Sequence, residues 1–356
     1  MKVCFVADLP TGRDGAELQC YLIARGLSST GWSVTYVVLN KAIRKETAFP
    51  VYHARTMFPG NGWLARYSRF LSLFRFLNLA DPDVLFVTHG GSLSGFVTCY
   101  ALLRGKKIVF RAATRADADF TLGRSRHFEE RGLVAQLLHL LTALNAHAII
   151  TNCTDVANAF RKRFPRHDVW MIPNGLPIES VRQREAVHIL WIAKLIKVKN
   201  PGAFVRLAKE LPHIRFVMCG SGPLAHKIGE QAGALPNLNL VLGGNEREKR
   251  RLLETAFAFV STSLSESFPN TLIEAGIYRL PYVSFVDPEE VICRYKLGFH
   301  VRSFRELVEA TQRLVRNGEV RAEMGDNIRA YVQKQHDIRK TVAEYDRMLR
   351  YIISQP

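Results

Sequence analysis

The sequence has no long uninterrupted apolar run. Its most apolar longer stretch, Val134 to Ile150, is broken by His139, Asn145 and His147, and it falls short of the roughly 20 apolar residues that a bilayer span requires. The opening residues, MKVCFVADLP, turn polar at Asp8, too early for the apolar core of a secretory leader, and read instead as a buried strand. Six cysteines are scattered along the chain with no Cys-x-x-Cys pair and no neighbouring His at metal-ligand spacing. Reduced thiols in a cytosolic protein, without a structural metal, are the expectation. Low-complexity segments and short repeats are also missing. Acidic charge is scarce, with 49 Lys and Arg against 32 Asp and Glu, a formal net charge of +17. That balance favours anionic partners such as nucleotides or an acidic membrane surface. The basic residues are diffuse and no recognition motif accompanies them, which argues against nucleic acid.

At 356 residues the chain is too long for one ordinary hydrophobic core, and two domains are expected. Short apolar runs alternate with amphipathic stretches, the pattern of an α/β protein whose parallel sheet is covered by helices. Strands are predicted near Val3–Ala7, Ser33–Leu39, Asp83–Thr88, Lys107–Arg111, Ala148–Asn152 and Val169–Ile172. A second series follows near Ile189–Ala193, Arg215–Cys219, Leu238–Leu242, Ala256–Ser261 and Tyr282–Phe285. Between the two series, Ile172-Pro-Asn-Gly-Leu-Pro carries two prolines and an Asn-Gly turn signal. The first domain is therefore expected over 1–175 and the second over 176–335. In doubly wound sheets ligands bind outside the carboxyl ends of the strands, so a cleft between two such ends is the expected site.

The most informative segment runs from Ala256 to Gly276 and holds Glu266 and Glu274, eight residues apart. A strand enters a Ser/Thr-rich loop with Ser267 and Phe268, and Pro269 stands where a first helical residue is favoured. Amide groups around Asn270 and Thr271 then form a helix start suited to an anion such as a diphosphate. The two carboxylates would accept hydroxyls of a sugar and a ribose; read alone, they equally fit acidic residues favouring a helix dipole. After the strand Ile189–Ala193 comes Lys194-Leu-Ile-Lys-Val-Lys199-Asn-Pro, which puts lysines at the top of the sheet, where they would neutralise phosphate oxygens. Gly220 and Gly222 follow another strand and let backbone approach a ligand such as a nucleobase.

Together these segments resemble the family-4 retaining glycosyltransferases of the GT-B fold, two Rossmann-like doubly wound domains facing a central cleft. The resemblance implies that Glu266 binds donor-sugar hydroxyls and Glu274 the ribose. It puts Lys194 and Lys199 on the diphosphate, with Phe268, Pro269, Asn270 and Thr271 in the loop facing diphosphate and sugar. It also implies a last helix, within 336–356, that crosses back to the first domain. Asp14-Gly15-Ala-Glu17 resembles the family's Gly-Gly-Ala-Glu loop, with Gly15 near donor or acceptor. The family's His at the end of one first-domain strand is replaced here by Arg111. Arg111 is expected either at the active site, binding an acidic sugar, a phosphate or an acceptor, or in an interdomain ion pair. His89 stands at the preceding strand end as a partial replacement or a structural residue. Asp117-Ala-Asp119 looks like a metal-binding Asp-x-Asp, but a loop role near the acceptor or plain solvation is expected for it. Trp63 to Leu77 interleaves Arg66, Arg69 and Arg75 with aromatic residues, as an interfacial helix on anionic lipid or a helix packed on its own sheet would.

The implied activity is transfer of a hexose-type sugar, with retention and without metal or other cofactor, from a nucleotide sugar to a glycan or lipid-linked acceptor. Cell-envelope polysaccharide synthesis, in the cytoplasm or peripherally at the inner face of the membrane, is the implied setting. A sugar-nucleotide epimerase of similar fold and a non-catalytic transferase-like subunit are the alternatives.

Overall fold

Nearly every apolar run is a strand of a parallel sheet. The computed structural model describes residues 1–10, 15–38, 47–54, 63–120, 132–181 and 184–355, without the side chains of residues 63–67 and 69. It divides into two units, one of Met1–Asn174 with Ile338–Pro356 and one of Gly175–Asp337.

The strands of the first unit are β1 (Lys2–Val6), β2 (Ser33–Val38), β3 (Val51–His53), β4 (Val84–Thr88), β5 (Lys107–Ala112), β6 (Ala148–Thr151) and β7 (Val169–Met171). Its helices are α1 (Gly15–Ser29), α2 (Trp63–Ala80), α3 (Ser92–Arg104), α4 (Leu133–Asn145) and α5 (Thr154–Arg163). The sheet order is β3-β2-β1-β4-β5-β6-β7, so the direction of winding reverses between β1 and β4. Both faces are covered, which is why the central strands are apolar on both sides rather than alternating. One core joins Val3, Phe5 and Phe86 to Cys20, Ile23 and Leu27 of α1; the other joins Cys4, Val6 and Phe110 to Leu73, Val97 and Phe160.

The last helix, here numbered α13 (Ile338–Ser354), packs into the first of these cores through Val342, Tyr345, Met348 and Leu349. Its approach to α1 is close: a Cβ on Gly26 would lie 2.3 Å from Val342 Cγ2. The helix α2 packs by its described aromatic residues, Phe74 against Tyr100 and Phe76 against Tyr52. The side chains of Trp63, Arg66, Tyr67 and Arg69, and all of Asp14, lie outside the described residues.

The second unit has strands β8 (His188–Lys194), β9 (Phe216–Ser221), β10 (Leu238–Leu242), β11 (Ala256–Ser261), β12 (Tyr282–Ser284) and β13 (Gly298–His300). Its helices are α6 (Pro201–Glu210), α7 (Ala225–Gly233), α8 (Glu246–Glu254), α9 (Asn270–Ile277), α10 (Val291–Arg294), α11 (Phe304–Arg316) and α12 (Gly318–Gln335). The order is β10-β9-β8-β11-β12-β13, and here the reversal lies between β8 and β11. The short edge strands β3 and β13, each half-buried, were not expected from the sequence. Cys4, Cys20, Cys153 and Cys219 are buried and in no disulfide, and burial pushes the Cys4 thiol up to about 12. Among the described residues no helix is long and apolar enough to cross a membrane.

Candidate functional site

In both sheets the residues singled out from the sequence collect at the carboxyl side of the reversal point, where open α/β sheets bind ligands. In the second unit, β8 delivers Lys194, which is exposed, and a short 3-10 turn at Lys197–Lys199 follows. The loop after the adjacent β11 delivers Glu266, and Lys199 Nζ pairs with Glu266 Oε1. Both partners are largely covered, with side-chain exposures of 23% and 14%, so this is a stronger pairing than a typical surface ion pair. The two loops are fastened to each other by backbone as well. Leu264 N–H donates to Val198 O at 2.9 Å, Thr262 Oγ1 donates to Lys199 O at 2.8 Å, and Trp191 Nε1 donates to Thr262 Oγ1 at 2.9 Å. The lysine's position therefore does not depend on its ion pair.

Glu274 stands about one turn into α9 and pairs with Lys249 of α8, Nζ to Oε1 at 2.7 Å. Burial pulls Lys249 down, but Glu274 and Glu246 more than offset it and the ammonium stays above its ordinary value. Both glutamates act on one group: burial pushes the Tyr282 phenol up, and Glu266 and Glu274 each add to that rise. Each carboxylate of the pair expected as a clamp thus has its own lysine. Pro269 is the residue before the helix rather than its first member, and α9 starts at Asn270 without a side-chain cap. The Thr271 hydroxyl lies 3.2 Å from Tyr282 OH, so Thr271 turns its side chain to the sheet. Phe268 is buried, its ring 4.6 Å from that of His336, while Ser267 is half-buried in the loop. The glycines at the end of β9 answer to the protein's own backbone: a Cβ on Gly220 would lie 2.3 Å from Ala193 O, and one on Gly222 2.6 Å from Leu195 O.

In the first unit, Gly15 is the exposed first residue of α1, and Glu17 stands in the same first turn. His89 follows β4 directly, with a left-handed backbone, φ 60°. Its Nδ1 lies 3.6 Å from Asp117 Oδ2 and its Nε2 3.9 Å from Glu17 Oε1. Asp117 is not a solvated loop acid. It is buried and accepts from the amides of Gly90 (3.1 Å), Ala113 (3.0 Å) and Thr114 (3.0 Å) and from the Thr114 hydroxyl (3.0 Å). Burial alone would raise this carboxyl, but His89 and the hydrogen bonds from Gly90 and Thr114 hold it well below the usual carboxylate range. Burial lowers His89, and Asp117 and Glu17 raise it by more, leaving it above its ordinary value. A raised pKa contributes stability that is complete below the unfolded value near 6.5 and is lost as pH rises through the folded one. The stability gap between wild type and H89N, which tolerates the left-handed backbone, should therefore shrink from pH 5.5 to pH 8.5 in urea unfolding. A gap that stays constant would refute the charge of His89 as its cause.

Arg111 is buried, 2% exposed, with Nη2 donating to Asn174 Oδ1 at 2.8 Å and with Tyr345 as a second partner. No ion pair holds it among the described residues, and its Nη1 is buried without a partner. Its place in this unit is that of a tie between β5, Asn174 and α13. Among the described residues one group of three possible metal ligands converges, Asp287, Cys293 and His300; Asp117 and Asp119 are not part of it. Lys249 is the functional candidate that the sequence reading missed.

Residues 13–180 match the model of glycosyltransferase family 4, and residues 179–331 that of the glycosyl transferases group 1. An uncharacterized glycosyltransferase of Methanocaldococcus jannaschii is 33% identical over 96 residues, covering 26% of this chain and 23% of that protein. The alpha-galactosylglucosyldiacylglycerol synthase of Streptococcus pneumoniae is 24% identical over 245 residues, 59% of this chain and 65% of that protein. The matched parts of this chain thus span less than two thirds of either relative's length. Among solved structures, the sucrose-phosphate synthase from Thermosynechococcus elongatus has a TM-score of 0.80 at 12% identity, with 99% of both chains covered; this likeness is one of fold.

Proposed function

This chain belongs to the group 1 and family-4 glycosyltransferases, and from that premise we propose that it moves a hexose from a nucleoside-diphosphate sugar to a hydroxyl of a glycan or lipid-linked acceptor, with retention at the anomeric carbon and without a metal. The observation that carries this reading is the pair of lysine–glutamate contacts at the reversal point of the second sheet, Lys199–Glu266 and Lys249–Glu274. Lys199 is held by a carboxylate that an incoming substrate can replace. When a diphosphate arrives, Lys199 exchanges the carboxylate for phosphate oxygens, and Glu266 is released to accept a sugar hydroxyl. Lys249 keeps Glu274 oriented toward the ribose. Lys194, Lys199 and the start of α9 then supply the positive field that a metal ion would otherwise provide to the diphosphate.

In the reaction, the bond from the anomeric carbon to the phosphate oxygen breaks and its electron pair goes to the diphosphate. The acceptor oxygen bonds to the anomeric carbon, and its proton passes to the departing phosphate. The charge that grows on the diphosphate is stabilised by groups already in place, which is where catalytic advantage accrues.

The test is a panel of UDP-, GDP- and ADP-sugars scored by thermal stabilisation, since a ligand at about 100 times its Kd adds about 2.7 kcal/mol to the native state. One donor should stabilise wild type, and E274A should lose most of that effect. Incubation with acceptor in the presence of a chelator, with the product's anomeric configuration read by NMR, then tests the chemistry. An inverted product or loss of activity to chelator overturns the corresponding part of the proposal. An isomerised nucleotide sugar from donor alone would instead identify an epimerase.

A further inference from the structure

A pocket of about 830 Å³ opens in the first unit at its own reversal point, between the ends of β1 and β4. One end is polar and carries Asp8, Glu17 and His89. The walls are apolar: Phe70 and Leu73 come from α2, Phe96 from α3, and Leu133, Val134 and Leu138 from α4. Two of these wall residues are open to solvent, Leu133 at 58% and Val134 at 69%. The exposed apolar line continues along α4 through Leu137 and Leu144. With Leu133 they follow spacings of four and seven and so share one helix face.

A sugar alone would leave these walls without a partner. A hydrocarbon alone would strip Asp8, Glu17 and His89 of water without giving them a polar group in exchange, which is costly. We infer that this pocket binds an amphiphile, its hydroxyl-bearing headgroup at Glu17 and His89 and its hydrocarbon chain leaving between α2 and α4 over Leu133 and Val134. Glu17 accepts a headgroup hydroxyl, and His89, fixed by Asp117, presents Nε2 to a second one. The exposed face of α4 carries the chain onward to the lipid surface from which such a molecule comes. That the amphiphile is the acceptor rests on the transferase reading above; that it binds does not.

The experiment uses the full chain with no donor present. Calorimetric titration with methyl, n-octyl and n-decyl β-D-glucoside, each below its micellar concentration, should give one saturable site for the long chains. Affinity should tighten by up to about fourfold per added methylene. The double variant L133D/V134D should weaken decyl glucoside at least tenfold. L103D, on α3 at a residue 76% exposed and outside the pocket lining, should bind as wild type does. Equal affinity for the three glucosides, or equal loss in L103D, overturns the site. Binding that persists while the bound glucoside is never glycosylated, under conditions in which another acceptor is, overturns the acceptor assignment alone. A failure to bind nucleotide sugar overturns the transferase reading and leaves this titration unchanged.

Discussion

Replacing Lys199 by Ala should lower kcat by about 100- to 1000-fold, the loss typical when one preorganised donor to developing negative charge is removed. The chain should still fold. The lysine's backbone, not its side chain, holds the loop, through Thr262 on its carbonyl and Leu264 on Val198. The stability cost is that of leaving the largely covered Glu266 without a cation, about 1–2 kcal/mol, between the surface and buried extremes. A double variant separates the two roles of the lysine. If Lys199 served only to neutralise Glu266, K199A/E266Q would recover stability and turn over as E266Q alone does. If Lys199 meets the diphosphate, the double variant recovers stability and is far slower than E266Q. Steady-state kinetics with the donor found in the thermal panel, beside urea unfolding of the same four proteins, decide between these outcomes. Near-wild-type turnover in K199A would remove Lys199 from the chemistry.

The contrast between Lys199 and Lys249 shows what a sequence carries and where it stops. Lys199 was legible because a strand end, a short loop and an Asn-Pro helix start fix where its side chain must lie. Lys249 sits in Glu246-Arg-Glu-Lys-Arg-Arg, a charge run that reads as a solvated helix face, and its partner Glu274 is 25 residues away. The available signal was its position in the first turn of a helix that follows a strand's carboxyl end. Central strands were legible because burial on both faces leaves continuous apolar runs; the three-residue edges β3 and β13 have too little burial to leave any pattern. For Arg111 the sequence carries no sign of its partners, Asn174 and Tyr345, which lie far along the chain. Asp117 had a local signal, the Thr114-x-x-Asp117 spacing of a capping box, which an Asp-x-Asp reading hides.

Asp117 is also where the largest loss of stability is expected. D117A removes the acceptor for three backbone amides, those of Gly90, Ala113 and Thr114, and for the Thr114 hydroxyl, all next to a buried residue that cannot admit bulk water. It also strips His89 of the carboxylate that raises it. Breaking such a network by removing its centre costs about 3–5 kcal/mol, or about 10 °C in Tm for a unit of this size. D117N should not rescue it, because one of its two positions would turn an amide donor toward donors. The carboxyl lies below its ordinary value, so its contribution is complete above the unfolded pKa and is lost only as pH falls through the folded one. The D117A penalty should therefore shrink in part from pH 6 to pH 8, as the His89 contribution that depends on Asp117 declines, while the part due to the amide hydrogen bonds stays constant. Two units need not unfold together, so the readout must be local: hydrogen exchange in β4 and β5 should quicken, while β8 and β11 keep their protection. Unchanged exchange in β4 and β5 would mean that the Asp117 bonds are replaced by water at little cost. In that case His89 would owe its orientation in the pocket to Glu17 rather than to Asp117.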